Sequence, residues 1–331
     1  MNRRIAVSLA AAVLSLAATA QEPAADWIAA SNKYTDLLLA VEMKHAPELG
    51  SNQGLSQFDA EVSQPTLADE DQERQEKEGV LSTLKGALGQ PKQKPVAQDL
   101  QIVIRKIELQ FRKRDFDRAH KVDFLNASKM VFSGLRVLLD EQTPSERRPA
   151  AVVRIRKYAG LESGYQSLTE ILKQRVIEQM AKPGVVCPAR TEIETELSRN
   201  PNYLEGIATL LQEYKLSGWR EPYDKLKTQL VEYDAWTKAH VLPRARADFR
   251  LPPEEYALNL EDYGIDIPPG QLAAMAHQAF SDIQTEMKPI AAQIAKGKHL
   301  PSGDYRDVIR ELKKQQLVGD AILPFYQERL R

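Results

Sequence analysis

The sequence predicts a mainly α, multi-helix protein. Three observations carry that expectation. Apolar residues recur at helical spacing in segment after segment, no run shows strict two-residue alternation, and helix-opening residues precede several of the stripes.

Taken in order, Leu100, Val103, Ile104, Ile107 and Phe111 form the first clear stripe, with charges between them. Leu168, Ile171, Leu172 and Val176 form the next, followed by Tyr203, Ile207, Leu210, Leu211 and Tyr214, and then Tyr223, Leu226, Leu230 and Tyr233. The longest runs Leu272, Met275, Ala276, Ala279, Ile283, Met287, Ile290 and Ile294. Pro289 falls inside it. A proline lacks the N–H of the helix ladder, so a kink or break is expected there. Tyr305, Val308, Ile309 and Leu312 make a short stripe, Leu317-Val318-Gly319 interrupts it, and Ile322 to Leu330 starts another. That last pattern has no Gly, Asn or Pro stop signal, and reads as one cut in mid-stride, as in a truncated gene.

Start signals agree with the stripes. Thr143-Pro144-Ser145-Glu146 and Ser163 with Gln166 have capping-box spacing, and Pro268-Pro269 opens the long stripe. Gly50 to Pro65 and Gly86 to Pro95 read as loops. Asp69 to Glu78 has no apolar residue and is either a solvated helix or a mobile segment. Val185-Val186 and Ile265-Asp266-Ile267 leave room for short strands but not for a sheet.

The length of 331 residues suggests two domains or one large one, and 43% hydrophobic residues allow a sizeable core. With 45 Lys and Arg against 46 Asp and Glu, net charge gives no argument for nucleic acid or an anionic surface. Two basic clusters stand out: Arg105, Lys106, Arg112, Lys113, Arg114 and Arg118, then Arg147, Arg148, Arg154, Arg156 and Lys157. Acids are interleaved with both, so they read as solvated helix faces rather than a nucleic-acid surface.

Residues 1–20 read as a signal peptide. Arg3 and Arg4 give a positive start, Ile5 to Ala17 is an apolar run, and Ala18-Thr19-Ala20 sets cleavage before Gln21. The run is shorter than the ~20 residues of a spanning helix; the alternative is an uncleaved anchor. The expected location is periplasmic or secreted, with no membrane contact after cleavage and a helical region over 21–331. No cysteine follows the cleavage point, which argues against a lipoprotein. Cys187 is the single cysteine, so no intramolecular disulfide is possible, and it reads as an inert, partly buried thiol.

Catalytic motifs are missing. The histidines are His45, His120, His240, His277 and His299, and no two share a helix face as a zinc pair requires. Asp117 and His120 stand three apart and read as a surface charge pair, while His277 reads as a packed core histidine. Ser82-Thr83-Leu84-Lys85 has the Ser-x-x-Lys spacing of penicillin-recognising enzymes, but Lys227-Thr228-Gln229 lacks the glycine of their companion motif and no Ser-Asp-Asn occurs. Nucleophile elbow, phosphate loop and dinucleotide fingerprint are absent. No residue is assigned a catalytic, cofactor-binding or metal-binding role.

One stretch carries a resemblance. Phe249-Arg250-Leu251-Pro252 with Glu255-Tyr256 comes first, then Tyr263-Gly264 before Pro268-Pro269. Ala276, Ile283, Glu286-Met287 and Ala291 follow, then Asp304-Tyr305-Arg306 and the Leu312 to Leu323 stretch. In that order these features resemble the bacterial domain-of-unknown-function 885 family. The resemblance implies a mostly helical, zincin-like metallopeptidase fold, often exported. It also implies a His-Glu-x-x-Pro-Gly-His motif whose histidines hold zinc and whose glutamate activates water. That motif does not occur in this sequence. Zinc is therefore implied for full-length members and not for these residues, and the chain reads as the incomplete N-terminal helical half of such a protein. Two functions follow: the helical portion of an exported metallopeptidase-like hydrolase, or a non-catalytic exported helical binding or scaffold protein. The implied partners are a peptide substrate or the missing C-terminal half. If half the fold is missing, the Leu272 to Ile294 and Ile322 to Leu330 stripes should face solvent.

Overall fold

A computed structural model describes residues 26–90 and 92–330, so the expected signal peptide lies outside the described residues. Among the described residues there are thirteen α-helices: α1 (Asp26–His45), α2 (Pro47–Asn52), α3 (Leu67–Leu88), α4 (Lys94–His120), α5 (Ala127–Arg136), α6 (Ala150–Tyr158), α7 (Leu168–Met180), α8 (Arg190–Glu213), α9 (Arg220–His240), α10 (Pro253–Asp262), α11 (Pro269–Lys298), α12 (Tyr305–Lys313) and α13 (Ile322–Arg329). Among the described residues there is no strand, only two isolated parallel bridges. The mainly α expectation holds. The chain divides into two compact units, the first ending at Glu255 and the second starting at Tyr256.

The predicted stripes build the first unit. Leu100, Ile104 and Ile107 of α4 bury against Leu38 of α1 and Leu84 of α3. The largest cluster joins α5 to α9, with Val131, Leu135, Ile155, Leu172, Ile207, Leu226 and Leu230 among its buried members. Each such side chain contributes roughly 1.5–3 kcal/mol relative to an exposed one.

The acidic segment at 69–78 is helix, part of α3. The Thr66 hydroxyl accepts from the Asp69 N–H at 2.9 Å and opens it. Its carboxylates meet α4: Arg114 reaches Glu73 at 2.7 Å and Arg118 reaches Glu70 at 3.2 Å. Arg74 of α3 pairs with Asp115, and Arg118 also pairs with Asp71. Here the basic cluster of α4 is not a merely solvated face; part of it is the other half of an interhelical charge lattice. The second cluster departs further from expectation, because Arg154 is fully buried and Lys157 nearly so. Arg154 donates to the Gly134 and Phe58 carbonyls, and Lys157 reaches Glu61 at 2.7 Å.

Several start signals act elsewhere. The Thr143 hydroxyl donates to the Val137 carbonyl at 2.9 Å, Ser145–Arg147 is only a 3₁₀ turn, and α6 begins at Ala150. Ser167, not Ser163, caps α7 by accepting from the Glu170 N–H. The expected loop at 86–95 shrinks, since α3 runs to Leu88 and α4 starts at Lys94. The 50–65 loop contains the end of α2 and a 3₁₀ turn at Ser56–Phe58. Val186 forms a single bridge with Lys121, and no strand forms at 265–267.

In the second unit α11 continues through Pro289 rather than breaking there. It ends where His299 takes a left-handed backbone conformation, φ 53°. Its packing is confined to the C-terminal end, where Ala291 and Ala295 meet Val308 of α12. That explains a correction: His277, far from this contact, is exposed and not a core residue. Met275, Phe280, Ile283 and Ile290 of α11 are exposed, as are Ile322, Leu323, Tyr326 and Leu330. Leu272, Met287 and Ile294 are half-buried.

Candidate functional site

Three chain segments come together at one end of the first unit. The Val122 N–H donates to the Val186 carbonyl at 3.0 Å, and the Val186 N–H to the His120 carbonyl at 2.7 Å. Next to them the Arg246 N–H donates to the Pro188 carbonyl at 3.1 Å, and the Arg190 N–H to the Arg246 carbonyl at 2.9 Å. The stretches leaving α4, α7 and α9 are thereby fastened side by side without forming a sheet. Over them lies a cleft of about 250 Å³. Val122, Phe124, Val186, Cys187, Leu251 and Pro252 give it apolar walls, and Lys121, Asp123, Glu192, Arg246 and Glu255 bring charge.

Most of that charge is spent within the protein. The Lys121 ammonium sits 2.7 Å from Glu255 and 3.2 Å from Asp117, one turn back. Burial disfavours its charge, yet the two carboxylates outweigh burial and hold the lysine above its ordinary value. Burial pushes the Asp117 carboxyl up; Lys121 opposes this, while Asp123 and Glu255 add to it. Asp123 accepts from Arg175 at 2.6 Å and from the Gln179 amide at 2.9 Å, and its own N–H donates to Gln179 at 3.1 Å. Arg246 donates to the carbonyls of Asp248 and Arg250. Glu192 differs. It lies in the first turn of α8, is exposed, and its carboxylate makes no hydrogen bond or ion pair with any described residue.

The cleft collects features that are far apart in sequence: the single cysteine and the Leu251-Pro252 and Glu255 positions of the resemblance. Cys187 is 8% exposed in its wall, which agrees with a partly buried thiol. Asp117 and His120 do not pair. Asp117 turns to Lys121, and His120 packs on Phe116 with ring centroids 4.9 Å apart.

The family comparison covers this region. The model described as bacterial protein of unknown function (DUF885) matches residues 47–331. The chain belongs to the DUF885 family. No curated protein matches it. The DUF885 match runs from α2 through both units and covers most of the chain; the expectation of an N-terminal half only is not borne out.

The zinc implied for DUF885 members finds no ligand set here: among the described residues no group of three or more His, Cys, Asp or Glu could hold a metal ion. Nor does the Ser-x-x-Lys spacing yield a dyad, because Lys85 is paired with Glu108 at 2.6 Å and Ser82 is exposed. His240 contacts the Trp236 carbonyl at 2.9 Å through Nδ1 and stacks on that residue's ring. His45 is the group that sequence reasoning missed. It is buried between Asp69, 2.8 Å from Nδ1, and Glu76, 3.3 Å from Nε2. The signal was available in the acid-rich Asp69 to Glu78 run, but not which residue it faces. His45 lines a second cleft of about 460 Å³ with Glu61 and Tyr165. There Glu61 takes bonds from Lys157 at 2.7 Å and Tyr165 at 2.5 Å.

Proposed function

We propose that this DUF885 chain is an exported helical binding protein, and that the cleft lined by Lys121, Glu192 and Glu255 receives an amine-bearing peptide. The observation that supports it is the unspent Glu192 carboxylate at an apolar-walled cleft whose other charges are internally committed. Three carboxylates against two cations leave the cleft suited to a cationic group. Export rests on the positive start, apolar run and small residues of positions 1–20. On this reading the mature protein begins at Gln21, which N-terminal sequencing of the secreted material checks.

Cys187 gives a direct test, because it is the only thiol and lines the cleft. Peptides with a free amine should slow alkylation of Cys187 at least fivefold. Acetylated peptides, or the Glu192→Gln variant, should show little protection. Equal protection by free and acetylated peptides would remove the cationic assignment.

A second reading, a metallopeptidase-like hydrolase, is favoured by the Phe249 to Tyr256 resemblance, since Leu251, Pro252 and Glu255 border the same cleft. Peptide hydrolysis by the purified chain that a chelator abolishes would establish it over the binding reading.

A further inference from the structure

A larger cleft, about 530 Å³, opens at the other end of α5, beside α2 and the turn after it. That volume is within the range of ligand sites in proteins, ~300–1,000 Å³. Its lining includes Asn52, Phe132, Ser133, Arg136, Asp140 and Gln142. Arg136 is the last residue of α5 and is exposed, and its guanidinium has no hydrogen bond or ion pair with any described residue. The side chains of Asn52, Ser133 and Gln142 are likewise uncommitted among the described residues. The other groups are fixed. Arg147 is bound to Asp59, the Thr143 hydroxyl to Val137, and Asp140 Oδ1 accepts from the Gln142 N–H at 3.0 Å. The Phe132 ring is braced on Tyr203, centroids 5.3 Å apart, and gives a firm apolar wall.

We propose that this cleft binds the carboxyl terminus of a peptide, with Arg136 taking the terminal carboxylate. A guanidinium presents two parallel N–H donors that match a carboxylate. Asn52, Ser133 and Gln142 supply donors and acceptors for the terminal amide groups, and Asp140 offers an acceptor to a peptide N–H. Asp140 also argues against a doubly charged anion such as phosphate, because one free cation and one carboxylate share the cleft. The site lies beyond the Glu192 cleft and does not depend on it.

Titration calorimetry with short acetylated peptides, as free acids and as C-terminal amides, tests this. The acids should bind saturably and the amides at least tenfold more weakly. Arg136→Gln should cost at least tenfold for the acid while leaving the amide unchanged, and Arg136→Lys should restore part of the loss. Because Arg136 is exposed, circular dichroism should show both Arg136 variants folded as the parent is. The assignment is overturned by acids and amides binding alike, by an Arg136→Gln variant that binds as the parent does, by tighter binding of inorganic phosphate, or by no saturable binding at millimolar peptide.

Discussion

Arg147→Ala should strongly destabilise the first unit. Arg147 grips Asp59 through two nitrogens, at 2.7 and 2.6 Å, and the second also donates to the Ser51 carbonyl at 2.8 Å. Asp59 is 4% exposed and has one other donor, the Ser51 hydroxyl at 2.7 Å. Truncating the arginine strands a buried carboxylate, and breaking such a pair costs about 3–5 kcal/mol. At 2–4 °C per kcal/mol for a unit of this size, the melting midpoint should fall by about 10 °C. Urea unfolding followed by helical circular dichroism measures it. The pH dependence supplies a second reading. Burial raises the Asp59 carboxyl, but Arg147 and Ser51 outweigh it and hold the group below its ordinary 3.8. A depressed folded value means that this stabilisation is present above about pH 4 and is lost as pH falls through the folded value. The gap between parent and Arg147→Ala should therefore close in acid. The double variant Arg147→Met with Asp59→Leu should recover much of the loss, since it strands no charge. A loss under 1 kcal/mol near neutral pH, or a gap that persists in acid, refutes the reasoning.

Two further outcomes follow from single contacts. Alanine in place of a helical glycine normally stabilises by up to about 1 kcal/mol, but a methyl on Gly134 would collide with the Tyr158 hydroxyl, which donates to Glu48 at 2.7 Å; Gly134→Ala should destabilise in thermal unfolding, and less so in a Tyr158→Phe background. The Glu76 carboxyl is lowered to about 2, chiefly by Lys44 at 2.6 Å; in Lys44→Ala its NMR titration should move up toward the ordinary 4.5, so that most of the stability this group gives the parent above that value, and loses as pH falls toward 2, is missing from the variant.

Helix identity was legible because stripes such as Leu100 to Phe111 must be buried on one side, and that need is local. What those helices pack against was not. Thr143-Pro144-Ser145-Glu146 has the right spacing for a cap, yet the Thr143 hydroxyl is drawn to the Val137 carbonyl, a partner that spacing cannot reveal. The same holds for Arg154, which looks like a surface charge and is buried only because the Gly134 and Phe58 carbonyls converge on it. His277 failed the other way: its apolar neighbours suggest a core face, but α11 packs only near Ala291 and Ala295. The clefts were invisible for a related reason. Glu192, Cys187 and Leu251 become neighbours only after three separate segments are tied together, and Arg136 is distinguished by the partner it does not have.

The lattice between α3 and α4 also decides how those two helices slide. Over Asp69 to Glu78 no apolar side chain is available to set their alignment. Arg74 with Asp115, Glu73 with Arg114 and Glu70 with Arg118 set it instead. A displacement of one turn, roughly 5.4 Å, would bring Arg118 to Arg74 in one direction and Asp115 to Asp69 in the other. Those like-charge encounters add to the buried Leu84, Leu100 and Ile107 contacts further along the same two helices in favouring one register for this hairpin.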